Sequence, residues 1–161
     1  MTVAQGLSRE GIDEVTAPPP GTILLATFDV PFDPDAARFA VDSAVESGSA
    51  LVVANIMELE PLVMSMQMGC DTLEYSEELA VSLLEPVRLA HSCGVRVERL
   101  RVRSFRRVES LIELAKERDM RLVVLGPDRQ KVKRRLYEKA AQALRDQLSC
   151  LVWLTWDVPR R

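Results

Sequence analysis

The chain has 161 residues, a length typical of one domain with its own hydrophobic core. It is 47% hydrophobic and 28% charged, which excludes collagen-like, low-complexity and wholly disordered proteins. Three cysteines without a CxxC pair argue against a disulfide framework or a zinc ribbon. A single histidine leaves little basis for histidine catalysis or a metal site, and we expect neither. The cysteine usage fits a reducing compartment, and we expect the protein in the cytoplasm.

Residues 1–20 differ in composition from the rest of the chain. They contain Glu10, Asp13 and Glu14 and lack the apolar stretch of a signal peptide. No apolar run approaches the ~20 residues that a membrane helix needs. The sequence therefore predicts a flexible leader over 1–20 and a single domain over 21–158.

After the leader, short apolar runs alternate with amphipathic segments. This alternation predicts an α/β fold, a single-domain open parallel five-stranded sheet with helices on both faces. The predicted strands are Thr22–Phe28, Ala50–Met57, Val95–Val102, Arg121–Gly126 and Leu151–Trp156. The predicted helices run from Asp33-Pro34 to Gly48, from Ser76 to Cys93, from Val108 to Asp119, and through Leu136, Ala140, Leu144 and Leu148.

Three details of these elements are open to test. The first helix has one narrow face of small residues, formed by Ala36, Ala40 and Ala44 beside Ala37, Val41 and Val45. Pro86 should kink or split the second helix, because proline removes a backbone hydrogen bond. The methionine-rich insertion 57–75 is either a loop folded over the core or an adaptable binding surface.

The charges are distributed unevenly. Residues 1–95 carry 3 basic and 15 acidic groups, whereas residues 96–161 carry 18 basic and 9 acidic groups. Most of the basic excess lies in 96–107 and 129–139. Either these are solvated faces that balance the acidic half, or they form a patch for an anion such as a nucleotide or phosphate.

The order of these segments resembles that of the universal stress protein family over residues 21–156. The resemblance lies in ILLATFD, AVESGSALVVANIM, GVRVERLRV, SLIELAKERDMRLVVLG and the ending SCLVWLTW. It implies the same α/β fold, a homodimer formed through the last strand, Leu151–Trp156, and a role linked to stress. Members of the family that bind ATP carry Gly-x2-Gly-x9-Gly-(Ser/Thr) after the fourth strand.

This chain departs from that nucleotide motif. Gly126 matches the first glycine, but Arg129 and Lys139 replace the next two, and Ala140 replaces the Ser/Thr. Side chains at those positions would crowd a loop whose backbone amides must approach phosphate. In the first strand, the acidic residue comes one position late, at Asp29 after Phe28, and a shift of one residue turns a side chain to the opposite face.

The candidate ligand positions are the ends of the strands and the basic loop 129–135. Parallel sheets bind ligands at the carboxyl ends of their strands, where the strand order reverses. Cations beside a helix start oppose the helix dipole, so this loop either holds an anion or acidic partner, or keeps its charges in water. The candidates are Ala26, Thr27, Asp29, Ile56, Leu125, Gly126, Arg129, Lys131 and Lys133.

We therefore interpret the chain as a stress-linked binding or regulatory module, without catalysis of its own and with no cofactor expected. The alternative is a nucleotide-binding protein that holds ATP with Mg²⁺, AMP or another phosphate ligand with its basic loop. Adenylating and electron-transfer enzymes of similar α/β architecture share the sheet, but no motif in this sequence supports such an activity. Nucleic-acid binding has little support, because only Phe105 interrupts the basic residues as a stacking ring. His91-Ser92-Cys93 is expected to be structural, since neighbours at a helix end rarely face each other.

Overall fold

A computed structural model of the chain describes residues 21–59 and 77–156, and strands alternate with helices throughout these two ranges. The strands are β1 (Thr22–Thr27), β2 (Ala50–Glu58), β3 (Val97–Ser104), β4 (Met120–Leu125) and β5 (Leu151–Leu154). The helices are α1 (Pro34–Ser47), α2 (Glu77–Ser92), α3 (Arg107–Glu117) and α4 (Arg134–Gln147). The leader 1–20 and most of the methionine-rich insertion lie outside the described residues.

The strands form one parallel sheet in the order β3-β2-β1-β4-β5. The predicted fold is therefore confirmed. The strand order reverses at β1, which pairs with β2 on one side and β4 on the other. The carboxyl ends of β1 and β4 thus form the switch point at which open α/β sheets bind ligands.

Two core layers hold the helices against the sheet. One layer lies under α3 and α4 and includes Leu24, Ala26 and Tyr137. The other lies under α1 and α2 and includes Leu25, Ala40 and Leu83. Successive strand residues therefore bury their side chains on opposite faces, as a parallel sheet covered on both sides requires.

The ends of α1 confirm the sequence signals for its start and stop. The Asp33 side chain accepts a hydrogen bond from the backbone amide of Ala36 at 3.0 Å, and Pro34 opens the helix. Gly48 follows the last turn with φ 67°, the left-handed conformation that glycine adopts without a steric cost.

The small-residue face of α1 is not buried throughout, since Val45 is 49% exposed. The elements differ from the predictions at several places. The helix α2 runs unbroken across Pro86, so the split alternative is wrong. The strand β3 begins and ends two residues later than predicted, and β5 ends at Leu154 rather than at Trp156. No helix in the described part of the chain has the length and apolar character to span a bilayer.

Candidate functional site

The strand-end candidates lie together but are buried. Ala26 and Leu125 are register partners across β1 and β4, and both are fully buried. Ile56 is buried in the same layer as these two residues. Thr27 is also fully buried, and its hydroxyl donates a hydrogen bond to the Val30 carbonyl at 2.9 Å. These four residues form the floor of the switch point and expose almost no surface to a ligand.

Phe28 and Asp29 point in different directions at the end of β1. Phe28 is buried in the α3/α4 layer, with the Arg107 guanidinium 6.0 Å from its ring centroid. Asp29 is exposed and has φ 59°, a left-handed conformation that aspartate tolerates better than most residues. The late position of the acidic residue thus places an aromatic ring, and not a carboxylate, against the core.

Asn55 holds this turn, and the sequence analysis missed it. Its side-chain oxygen accepts a hydrogen bond from the Asp29 amide at 2.6 Å, and its side-chain nitrogen lies 3.4 Å from an Asp29 carboxylate oxygen. Asn55 is 5% exposed. The signal that could have revealed it is the single polar residue inside the apolar run ALVVANIM, since a buried amide needs partners.

The loops that follow β1 and β4 are bonded to each other. The Asp33 amide donates to the Gly126 carbonyl at 2.9 Å, and the Asp128 amide donates to the Pro31 carbonyl at 2.7 Å. Phe32 and Pro127 form an antiparallel bridge between these two bonds. The backbones of the two loops therefore meet directly across the switch point.

Gly126 lies in a tight contact with α1. A Cβ atom built on Gly126 would come within 2.6 Å of the Ala36 Cβ and 3.2 Å of the Leu25 Cδ1. Ala36 has no flexible side chain that could swing away. The first glycine of the family motif is therefore required here by the packing of the β4 end against α1.

The backbone amides of the β4–α4 loop already have acceptors. The Asp128 carboxylate accepts from the Gln130 amide at 2.9 Å. The Asp128 carbonyl accepts from the Lys131 and Val132 amides at 3.1 and 3.0 Å. Together with the bond from the Asp128 amide to the Pro31 carbonyl, four amides of this loop donate hydrogen bonds within the protein. A phosphate would have to displace these bonds before this backbone could hold it.

Arg129 lies in a stack of side chains at the end of β5. Its guanidinium is 5.6 Å from the Trp156 ring centroid, and that ring stacks on Tyr137 with centroids 3.6 Å apart. The Tyr137 hydroxyl donates to the Trp156 carbonyl at 3.1 Å and accepts from the Trp156 amide at 3.2 Å. Burial raises the pKa of Tyr137, so the phenol stays protonated at neutral pH.

The remaining cations of the basic loop surround the start of α4. Lys131, Lys133, Arg134 and Arg135 are exposed, and Lys133 precedes the helix without a side-chain cap. Arg134 pairs with Glu138 one turn later at 3.1 Å. These four cations are therefore exposed side chains beside a helix start.

The last two positions of the family motif lie inside α4 and not at its start. The Lys139 ammonium is 3.6 Å from a Glu109 carboxylate oxygen on α3. Ala140 is fully buried among the core residues. The residue in the Ser/Thr position thus packs against the sheet.

Two surface clefts lie at this edge of the sheet. The larger, of about 460 Å³, is lined by Glu58, Phe105, Arg106, Arg107, Val108, Glu109, Leu136 and Lys139, none of which was predicted as a site residue. The other, of about 400 Å³, brings together two of the predicted residues, Asp29 and Lys131, with Glu78 and Ser82 of α2. The remaining predicted residues do not line this cleft.

Other groups singled out in the sequence have structural contacts. The Ser92 hydroxyl donates to the Leu89 carbonyl at 2.7 Å, which satisfies the end of α2, and it lies 4.0 Å from the Cys93 sulfur. Burial raises the pKa of Cys150, which makes that thiol a weaker nucleophile. Within residues 21–59 and 77–156 no group of three or more histidine, cysteine or acidic residues is placed to hold a metal ion.

Comparisons with known proteins place the chain in one family. The family model described as the universal stress protein family matches residues 21–155. A universal stress protein of Burkholderia pseudomallei superposes with a TM-score of 0.61 and 19% identity, covering 84% of this chain and 95% of that chain. One from Archaeoglobus fulgidus in complex with dAMP has a TM-score of 0.51 and 15% identity, covering 83% of this chain and 96% of that chain. One from Arabidopsis thaliana with AMP bound has a TM-score of 0.51 and 15% identity, covering 84% of this chain and 90% of that chain. No curated protein sequence matches the chain.

Proposed function

Because the chain belongs to the universal stress protein family, we propose that it is a cytoplasmic, homodimeric binding or regulatory module linked to stress. We further propose that it does not hold ATP in the way the family motif provides, and that it has no catalysis of its own. Its partners then bind to the exposed surface of the domain and not to a phosphate loop.

The observation that carries this proposal is the use of the loop amides after β4. A Gly-rich loop binds phosphate because its amides point outward without acceptors. Here the amides of Asp128, Gln130, Lys131 and Val132 donate within the protein. Replacing four internal bonds with bonds to a ligand gains little, since a hydrogen bond exchanged for another contributes only about 0.5–1.5 kcal/mol net.

The first strand supports the same proposal. Phe28 fills the α3/α4 side of the β1 end and is 2% exposed. Val132 belongs to the same core layer and is 8% exposed. A nucleotide base over Ile56 and Leu125 would have to displace these two side chains from the core.

The homodimer is proposed through β5. This strand is an edge of the sheet and carries no charged residue over Leu151–Leu154. Leu151 is 74% exposed, and an apolar residue on a sheet edge favours pairing with another copy. Trp153 stacks on Phe39 of α1 at 4.9 Å, so the inner side of this strand is already packed.

The alternative function, a phosphate ligand held by the basic loop, has one specific observation in its favour. Lys131 lines the 400 Å³ cleft beside Asp29, at the carboxyl end of β1. In this alternative, the exposed ammonium groups of Lys131 and Lys133 would contact phosphate oxygens in place of backbone amides. Structures of similar proteins contain AMP and dAMP.

Titration calorimetry with ATP and ADP in the presence of Mg²⁺ tests both functions on the purified full-length protein. We expect no binding heat, and no nucleotide in the freshly purified protein by mass spectrometry. A dissociation constant below about 100 μM, roughly −5.5 kcal/mol, would refute the main proposal. The variant Lys131→Ser/Lys133→Ser/Arg134→Ser must then lose that binding if the basic loop is responsible. A control of equal charge change, Arg88→Ser/Lys116→Ser/Arg121→Ser, replaces exposed residues and must retain it.

A further inference from the structure

The two edges of the sheet differ in length and charge. β5 forms one edge and has four residues, all uncharged. β3 forms the other edge and has eight residues, four of them charged. In the described part of the chain, β3 pairs on one side only, with β2, from Val97 to Ser104. Among residues 21–59 and 77–156 no strand pairs with its second row of backbone N–H and C=O groups, so this row can accept another strand.

The β3 edge is strongly cationic. Arg99, Arg101 and Arg103 occur at every second position and are exposed. They lie on one face of the strand, with about 6.6 Å between successive residues. The one carboxylate of the strand, Glu98, is engaged by the Arg118 guanidinium through bonds of 2.8 and 3.0 Å. The acidic group of this edge is thus balanced by a neighbour, and Arg99 and Arg103 give the strand an exposed positive charge.

This charge pattern determines which strand can pair with β3. Two copies of β3 would place arginines opposite one another, and like charges on facing strands are destabilising. A segment with Asp or Glu at every second position would instead place carboxylates opposite Arg99 and Arg103. The same row of charges therefore excludes self-pairing and selects an acidic strand.

Phe105 offers an apolar contact at the end of this edge. It follows β3 directly, is 70% exposed, and lies at the rim of the 460 Å³ cleft. Arg106, the next residue, is also exposed. A strand docked along β3 would therefore bring its terminal side chain over the Phe105 ring.

We propose that the outer edge of β3 binds, by strand addition, an extended acidic segment of a partner protein. The segment carries Asp or Glu at alternate positions and an apolar residue that packs on Phe105. This inference rests on the proposed function as a binding module and names the chemistry of the partner.

The test is the binding of a fluorescent peptide to the full-length protein, followed by anisotropy. The probe is a peptide of about ten residues in which Glu and Val alternate, ending in Leu. A second peptide has the same sequence with an N-methyl group on every backbone amide, which keeps the side chains and the charge but removes the donors that strand addition needs. We expect the Glu-Val peptide to bind at least about tenfold more tightly than the N-methylated peptide.

A charge reversal locates the binding surface. Arg99→Glu/Arg103→Glu should weaken binding of the Glu-Val peptide by about tenfold or more. The control Arg88→Glu/Lys116→Glu changes the net charge equally at exposed positions of α2 and α3 and should weaken binding by less than about threefold. Folding of both variants is checked by their thermal transitions.

Four outcomes would overturn the inference. These are no binding of the Glu-Val peptide, equal binding of the two peptides, equal losses in the two variants, or tighter binding of a single-stranded oligonucleotide that depends on Arg99 and Arg103. The last outcome would assign the edge to nucleic acid. Nucleotide binding in the calorimetric titration refutes the proposed function without changing the peptide result, so the two failures are distinguishable.

Discussion

Gly126 provides a direct test of why one glycine of the family motif is retained. The substitution Gly126→Ala adds a Cβ atom 2.6 Å from the Ala36 Cβ, whereas carbon atoms in contact prefer about 3.5–4.0 Å. Relief requires α1 to move away from the end of β4 by about 1 Å. Overpacking of a buried site by one methyl group costs about 1–3 kcal/mol.

The expected result is a lower thermal midpoint without any nucleotide present. For a domain of this size, each kcal/mol corresponds to about 2–4 °C, so the midpoint should fall by roughly 2–12 °C at fixed protein concentration. The control Glu46→Ala introduces an alanine at an exposed position of α1 and should change stability by less than about 0.5 kcal/mol.

A double-mutant cycle identifies the contact responsible. Ala36→Gly costs about 1 kcal/mol by itself, because glycine weakens a helix, but it removes the atom that Gly126→Ala meets. The double variant should therefore be more stable than the sum of the single changes predicts, by about 0.5–3 kcal/mol. A Gly126→Ala protein with the stability of the parent, or strictly additive losses, would refute the packing explanation.

Three further predictions concern the β5 edge, the ring of Tyr137 and the turn after β1. Leu151→Lys should dissociate the proposed dimer in analytical ultracentrifugation and leave the fold intact. Trp156→Lys should also lower the thermal midpoint, because it removes the ring that stacks on Tyr137. A dimer that survives both changes would place the interface elsewhere. The pKa of Tyr137 is raised in the folded state, so its stabilising contribution is complete below the unfolded pKa of about 10 and decreases as pH rises toward the folded pKa. Tyr137→Phe should therefore reduce the loss of thermal stability at alkaline pH. Equal slopes of thermal midpoint against pH in the two proteins would contradict this. Asn55→Ala leaves the Asp29 amide without its side-chain acceptor and should cost about 1–3 kcal/mol in urea unfolding, and a loss under about 0.5 kcal/mol would show that the turn does not depend on this bond.

The sequence predicted the fold well because its signals are local and repeated. The strands are apolar runs of uniform character, and α1 carries a cap and a stop signal at Asp33 and Gly48. The boundaries of β3 were less predictable because its arginines alternate with apolar residues up to Ser104.

The candidate site was harder to predict, because its geometry depends on contacts between distant segments. The sequence identified Gly126 as a motif residue, but its close approach to Ala36 appears only when β4 packs beside α1. The cleft beside Phe105 likewise joins the ends of β2 and β3 with α3 and α4. Asn55 was within reach of sequence reasoning, since a lone amide in a buried strand requires a partner.

The turn formed by Asp128 has a consequence for any attempt to re-create a phosphate loop in this scaffold. Glycines introduced at positions 129 and 139 would remove two long side chains, yet the amides of Gln130, Lys131 and Val132 would still donate to Asp128. Each glycine alone therefore adds backbone freedom without adding a donor for a ligand. A phosphate loop at this position would need the turn to be rebuilt in the same step, which makes it difficult to build by successive single substitutions.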